Sequence, residues 1–285
     1  MATKKKRMFL LALAALLMAL LLWTAWGNTA LQLNMYTVSS DRLPKAFDGC
    51  RIAHVSDLHN AEMGEGNNAL LALLREAEPD IIAITGDLID SRNTDIGIAL
   101  RFAEEAVKLA PCFYVTGNHE ARVSEYADLK AGLTELGVTV LEDERIDLDR
   151  NGETITLIGI NDPGFRPAQL SDGPAAVKAT LQELRDEGGD FTLLLSHRPE
   201  LFEIYADSGV DLTLSGHAHG GQFRLPLVGG LVAPGQGLFP KYDAGAYTEG
   251  RANMIVSRGI GNSIFPFRFN NRPEVVLVEL QSGTA

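Results

Sequence analysis

Residues 80–90 read Asp80-Ile81-Ile82-Ala83-Ile84-Thr85-Gly86-Asp87-Leu88-Ile89-Asp90. An uncharged, β-branched run of this length is a buried strand. It breaks at a glycine, which permits a sharp turn out of a sheet, and an aspartate follows at once. The same punctuation recurs along the chain. Residues 51–56 form a strand-like run that ends in Asp57-Leu58-His59. Residues 112–116 lead into Gly117-Asn118-His119-Glu120, 191–196 into His197, and 212–215 into Gly216-His217-Ala218-His219.

The segments between these runs decide how the strands lie. Residues 67–78 place Leu70, Leu71, Leu73, Leu74 and Ala77 on a helical period, and Pro79 ends the helix. A second helix is predicted over 96–109, stopped by Pro111, and a third over 124–136, closed by Gly137. Alternation of strand and helix predicts parallel strands joined by crossovers. The texture then changes. Runs at 146–148 and 154–160 flank Asn151-Gly152, a hairpin signal. A helix is predicted over 175–186, and two strand-like runs between 254 and 280. Residues 28–45 read as a tether or a first edge strand, and 222–250 are rich in glycine and proline. The simplest account is one α/β domain with a second, partly antiparallel sheet.

Ligand sites in such sheets gather beyond the carboxyl ends of the strands. Five of the six histidines stand there, with Asp57, Asp87 and Asn118. By residue type this is a metal constellation, since imidazole and carboxylate suit first-row divalent cations. His54 lies inside its strand and reads as a core histidine. Asp90 reads as a turn cap.

The chain has 285 residues, 46% of them apolar, and a net charge of −12. That excludes a disordered or collagen-like chain. Cys50 and Cys112 are too few for a thiolate metal site and read as free buried thiols. Residues 1–40 hold four basic groups and no acid, so the remainder carries −16. No nucleic acid is expected as a partner, because such binding rests on neutralising phosphates with basic groups. No protein partner is inferred.

Lys4–Arg7 precedes an uncharged stretch whose densest part, residues 8–26, ends near Trp23 and Trp26. At 1.5 Å per residue it spans roughly 28 Å, close to the ~30 Å hydrocarbon core. It reads as a signal anchor with a cytoplasmic N-terminus and the body outside. The alternative is secretion after cleavage, since Ala25-Trp26-Gly27 has the small residues a signal peptidase needs. Residues 1–40 are therefore taken as leader, transmembrane helix and tether, and 41–285 as the domain.

The series D-x-H, G-D-x-x-D, G-N-H-E, H and G-H-x-H resembles the calcineurin-like metallophosphoesterase superfamily. The anchor, Gly220-Gly221-Gln222, residues 236–242 and residues 257–262 are similar to its membrane-associated YaeI/YkuE-like phosphodiesterase branch. The resemblance implies a four-layer α-β-β-α sandwich holding two divalent metal ions. One would take Asp57, His59 and His219, the other Asn118, His197 and His217, with Asp87 bridging. Manganese, iron and zinc suit that set, and magnesium stays open. The implied reaction is hydrolysis of a phosphodiester or pyrophosphate bond by a metal-bridging hydroxide. His119 is left to protonate the leaving oxygen or stabilise the phosphate, oriented by Asp57 or Glu120. A phosphomonoesterase, including a protein phosphatase, would use the same centre. A non-catalytic binding module is the remote alternative. Lys241, Arg258, Arg268 and Arg272 are candidate phosphate contacts, with Lys241 and Arg258 put first. Phe223, Leu225, Leu227, Leu231, Leu238 and Phe239 make their region apolar, which suits a lipid-linked substrate or a loop with its own small core.

Overall fold

The alternation of apolar runs and amphipathic helices folds into two six-stranded sheets packed face to face. The computed structural model describes residues 2–166, 173–185, 191–262 and 265–283. An N-terminal helix, α1 (Ala2–Thr29), is followed by β1 (Gln32–Ser40), β2 (Arg51–Val55), α2 (Asn68–Ala77) and β3 (Ile81–Thr85). Then come α3 (Ile96–Ala106), β4 (Cys112–Val115), α4 (Tyr126–Glu135) and β5 (Thr139–Val140). The second half contains β6 (Glu144–Arg150), β7 (Glu153–Gly159), α5 (Gly173–Leu184), β8 (Thr192–Leu195), α6 (Phe202–Asp207) and β9 (Leu212–Ser215). Two small hairpins follow: β10 (Arg224–Leu225) with β11 (Gly229–Gly230), and β12 (Val232–Ala233) with β13 (Gly237–Leu238). The chain closes with β14 (Gly245–Glu249), β15 (Ala252–Val256) and β16 (Glu274–Ser282).

The first sheet runs β1-β16-β2-β3-β4-β5 and the second β14-β15-β9-β8-β7-β6. Strands β2 to β5 are parallel, as are β7, β8, β9 and β15. Ile52, Val115, Leu157, Leu195, Leu214 and Val276 are among the side chains filling the space between the sheets. The other face of the first sheet packs on α2, α3 and α4 through Leu74, Phe102 and Leu129. That of the second packs on α5 and α6 through Leu181, Phe202 and Tyr205. This is the expected α-β-β-α sandwich.

Several local expectations shift. Residues 32–40 are an edge strand, aligned parallel with β16 from Gln32↔Glu274 to Ser40↔Ser282, so the folded sheet reaches back past the boundary drawn at residue 41. The two terminal strand runs part company: β15 joins the second sheet, while β16 inserts between β1 and β2 of the first. Helix α3 stops at Ala106, with residues 107–109 continuing as a hydrogen-bonded turn. Helix α4 begins at Tyr126 rather than Ser124. The predicted end of the fifth helix, Asp186, lies outside the described residues. Helix α6 carries too few residues to show a period, and sequence reasoning missed it.

Helix α1 is long and apolar enough to cross a membrane, and its apolar stretch is not buried in the protein. His54 is a core residue, with Nε2 2.7 Å from the Thr85 hydroxyl. Burial lowers its pKa to about 3, so the ring is neutral. Cys50 and Cys112 are buried free thiols.

Leu214 is fully buried between the sheets, whereas Leu238 is exposed. Leu214→Ala should cost about 2–5 kcal/mol in urea unfolding. Leu238→Ala should stay within about 0.5 kcal/mol.

Candidate metal centre

The topology brings six strand ends to one edge. Asp57 and His59 follow β2, Asp87 follows β3, and Asn118 and His119 follow β4. From the opposing sheet, His197 follows β8, and His217 and His219 follow β9. The loop after β15, residues 257–262, closes over Asp57: the N–H groups of Ile260 and Gly261 donate to its backbone carbonyl, at 3.3 and 2.7 Å. All eight of these side chains are buried.

Three groups of donor atoms have the spacing of a metal site, each within 4.8 Å: Asp57, His59 and His219; Asp87, His197 and His217; and His59, Asp87 and His119. Asp87 belongs to the second and third groups, and His59 links the third to the first. Its Oδ1 accepts the backbone N–H of His119 at 2.8 Å. Its Oδ2 lies 3.5 Å from His59 Nε2 and 3.2 Å from His197 Nε2. Asp57 Oδ1 stands 3.4 Å from His219 Nε2 and 3.8 Å from His59 Nε2.

The residues fit a pair of cations on three observations. The Nε2 atoms of His59 and His219 face each other at 3.2 Å, and His217 Nδ1 faces His197 Nε2 at 3.1 Å. Each pair shares a proton at this distance, and ring nitrogens that converge in this way are what a cation would gather in the proton's place. Asn118 Oδ1 is buried without a hydrogen-bond partner, and such an acceptor is costly unless something binds it. His197 Nδ1 donates to the Thr85 carbonyl at 2.7 Å, which leaves Nε2, beside Asp87 Oδ2, as the nitrogen that would bind a metal ion. The buried His and Asp clusters could hold a dinuclear metal site, and the N/O donor set suits manganese, iron or zinc.

Electrostatics agree. Burial alone would raise Asp57 and Asp87, yet both are held well below the usual carboxylate range, Asp57 chiefly by His219 and Asp87 by His197. Burial lowers His219 to about 3 and puts His217 well below its usual value. The carboxylates are therefore ionised and His217 and His219 neutral, whereas, against burial, the hydrogen bond and charge of Asp57 and Asp87 raise His59, and Asp87 raises His197 to about 10, so a metal ion bound there would displace their protons.

The backbone is bent to achieve this. Asp57, His59, Asp87, His217 and His219 all have positive φ, between 46° and 65°. Each such residue stores of order 1–3 kcal/mol. The turns also approach one another closely: a Cβ on Gly117 would lie 2.2 Å from Asp87 Oδ1, and one on Gly216 would lie 1.9 Å from Ser56 Oγ. Only hydrogen fits there.

His119 stands apart. The Ser91 N–H donates to its Nδ1 at 3.0 Å, with the Ser91 hydroxyl at 3.1 Å and Asp90 Oδ1 at 3.6 Å. The neutral ring therefore carries its proton on Nε2. Burial lowers its pKa. Orientation by Asp57 or Glu120 is corrected: Ser91 and Asp90 do it. Glu120 accepts the N–H groups of Asp87, Ile89 and Gly117 at 2.9, 3.3 and 2.8 Å, fastening two turns together. Burial, then the charge of Asp87, raises its pKa to about 7. Asp90 caps its turn by accepting the Arg92 N–H at 2.9 Å.

Of the expected phosphate contacts, Lys241 pairs with Glu203 at 2.8 Å on the surface. Arg258 faces Glu274 at 3.5 Å. Arg268 is fully buried and donates to the carbonyls of Arg258 and Gly261. Arg272 donates to the carbonyls of Ala30 and Leu31. The last two are structural in this fold. The cation beside the cluster is one the sequence reading passed over. Arg198 Nη1 lies 3.0 Å from His217 Nε2, and the guanidinium is held by both oxygens of Asp162. Its position one residue after His197 was the available signal.

Residues 50–221 match the family model described as calcineurin-like phosphoesterase. The metallophosphoesterase YkuE of Bacillus subtilis is 32% identical over 256 residues, covering 87% of this chain and 84% of its own. The phosphodiesterase YaeI of Escherichia coli is 30% identical, covering 81% and 82%. A transmembrane protein with metallophosphoesterase domain from Danio rerio is 26% identical, covering 85% of this chain and 56% of its own. Among solved structures, the sulfate thiohydrolase SoxB of Thermus thermophilus shares the fold, with TM-score 0.50, 13% identity, and coverage of 84% and 57%.

Gly117→Ala carries no change of ligand atom. Its Cβ would displace Asp87, so the purified variant should retain its far-UV circular dichroism and lose bound metal by elemental analysis.

Proposed function

The chain belongs to the calcineurin-like phosphoesterase family, and from that premise we propose that this metal-dependent phosphoesterase hydrolyses a phosphodiester or pyrophosphate bond in a lipid- or nucleotide-linked substrate at a membrane. The observation that carries the reading is Asp87 Oδ2, set between His59 and His197 so that two donor groups share one carboxylate. Asp57, His59 and His219 would hold one divalent ion, Asn118, His197 and His217 the second, and Asp87 would serve both. Manganese is the first ion to test. When bound, the ions supply Lewis acidity for the phosphoryl oxygens and a water acidic enough to attack near neutral pH.

The chain's own groups do the rest. His119 offers a proton-bearing Nε2 because Ser91 occupies Nδ1. As a neutral ring it serves best as a fixed hydrogen-bond donor to the oxygen on which charge develops. Full transfer of a proton would require a cationic ring and the loss of the Ser91 bond. Arg198, fixed by Asp162 and touching His217, holds that imidazole in place. Lys241 and Arg258 remain proposed only as outer contacts for a long substrate.

The membrane part of the reading rests on α1 and on the apolar loop region after His219. Helix α1 is read as an uncleaved signal anchor, with its basic end in the cytoplasm and residues 41–285, together with β1, outside.

Three outcomes test this. The purified chain with Mn²⁺ should turn over bis-p-nitrophenyl phosphate faster than p-nitrophenyl phosphate, and no turnover with any divalent ion would sink the proposal. His119→Ala should keep its metal and lose about 10²–10³-fold in turnover. Asp87→Ala should lose metal and turnover together.

A further inference from the structure

Outside α1, the exposed large apolar side chains among the described residues are few and placed together in sequence. Apart from Met35, they belong to the hairpins after the candidate site and to the segment before β16. Leu227 is fully exposed, Leu238 is 74% exposed and Phe239 64%. Val228, Phe265 and Phe267 are exposed as well. The loop's own small core takes other residues: Ala233 and Tyr242 pack beneath the second sheet.

The tips are built to present these side chains. Leu227 and Phe239 have φ of 68° and 54°, a conformation that glycine adopts freely and bulky residues avoid. A strained apolar residue at an exposed turn gains nothing from folding, so another contact must account for it. Behind the tips, Phe223 packs edge-on against Phe265 and Phe267, with centroids 5.3 and 5.4 Å apart. The Gln222 amide donates to both of their carbonyls. The apolar segments are thus held together rather than hanging loose.

The patch is bolted to α1. In the last turn of that helix, the Asn28 side chain donates to the Arg268 carbonyl at 2.8 Å and accepts the Arg268 N–H at 2.7 Å. One turn back, Trp23 and Trp26 stand where a spanning helix meets the headgroups. Arg272 stacks on Trp26 at 4.9 Å, and with Arg258 it lines a 150 Å³ cavity beside both tryptophans. Guanidinium groups at that level suit lipid phosphates, although Arg258 is already faced by Glu274.

We propose that the tips at Leu227–Val228 and Leu238–Phe239, with Phe265 and Phe267, dip into the bilayer leaflet that α1 enters. They form a second membrane contact that holds the body face-down beside its own anchor. The partner is lipid, because the patch is continuous with the end of an apolar helix and carries the unpaired apolar side chains of an interfacial surface. The inference rests on the anchor reading of α1.

The test uses the full chain in nanodiscs containing lipids spin-labelled at the headgroup or along the acyl chain. Leu227→Cys and Phe239→Cys are each labelled with an environment-sensitive fluorophore; the native thiols are buried. Trp23 and Trp26, the two tryptophans of the chain, report α1 independently. The expected result is a blue-shifted label whose emission is lost to acyl-chain quenchers at both positions. Quenched tryptophans with labels unquenched at both positions would overturn the proposal and leave the anchor standing. Unquenched tryptophans and labels would overturn the anchor as well.

Discussion

Two ionised carboxylates, Asp57 and Asp87, are buried at one edge of this molecule, and much of the structure answers to that fact. A buried charge is expensive unless it is paired and hydrogen-bonded. Asp57 accepts the His217 N–H with both oxygens, at 3.1 Å each, and Asp87 accepts that of His119. Histidines supply the remaining neighbours, and the carboxylates raise two of them, His59 and His197, which pair with Asp87 as cations. Arg268 and Arg198 stand nearby, one committed to carbonyls and the other to Asp162. Divalent cations held in this cluster would take over that balance and would let an acidic body receive a phosphoester.

The same demand explains the backbone. Five residues of the cluster sit in the left-handed region, a cost of several kcal/mol in sum. Such turns persist where their surroundings over-determine them. Glu120 ties the turns after β3 and β4 through three N–H groups. Gly86 and Gly117 let those turns touch: a Cβ on Gly86 would lie 2.5 Å from the Gly117 nitrogen. Stability given up at the edge is recovered between the sheets and against the helices, where packing is continuous.

What was legible in the sequence follows from this. The strand runs and the Gly-Asp, Gly-Asn-His and Gly-His-x-His turns are local signals, and parallel topology puts their ends together. Every residue of the expected ligand set except Asn118 falls in one of the donor groups, and Asn118 is buried at the end of β4 with an unpartnered oxygen. The pairing of β1 with β16 was not legible, because residues 32–40 and 274–282 meet only through the completed sheet. Arg198 was missed, and Glu120 was given His119 as its partner instead of three backbone N–H groups, for a related reason. Each acts through partners whose sequence distance carries no period, so no pattern marks them. The arginines near the C-terminus misled because charge alone does not distinguish a phosphate contact from a guanidinium spent on backbone carbonyls.

Those arginines matter for where the site sits. Asn28 in α1 holds the backbone of Arg268, and the Arg268 guanidinium holds the carbonyls of Arg258 and Gly261. Gly261 in turn donates to the backbone of Asp57. A Cβ on Gly259 would lie 2.6 Å from that of Asp57, so the loop and the aspartate turn move as one. Three links therefore separate the end of the apolar helix from a residue of the donor cluster, and the central link is a guanidinium with no exposure to water. Burying it lowers its pKa to about 10, a cost that a surface loop would not need to bear. A tether would leave the catalytic edge free to face any direction. This chain of bonds instead fixes it relative to α1, so whatever orients the helix also orients the site.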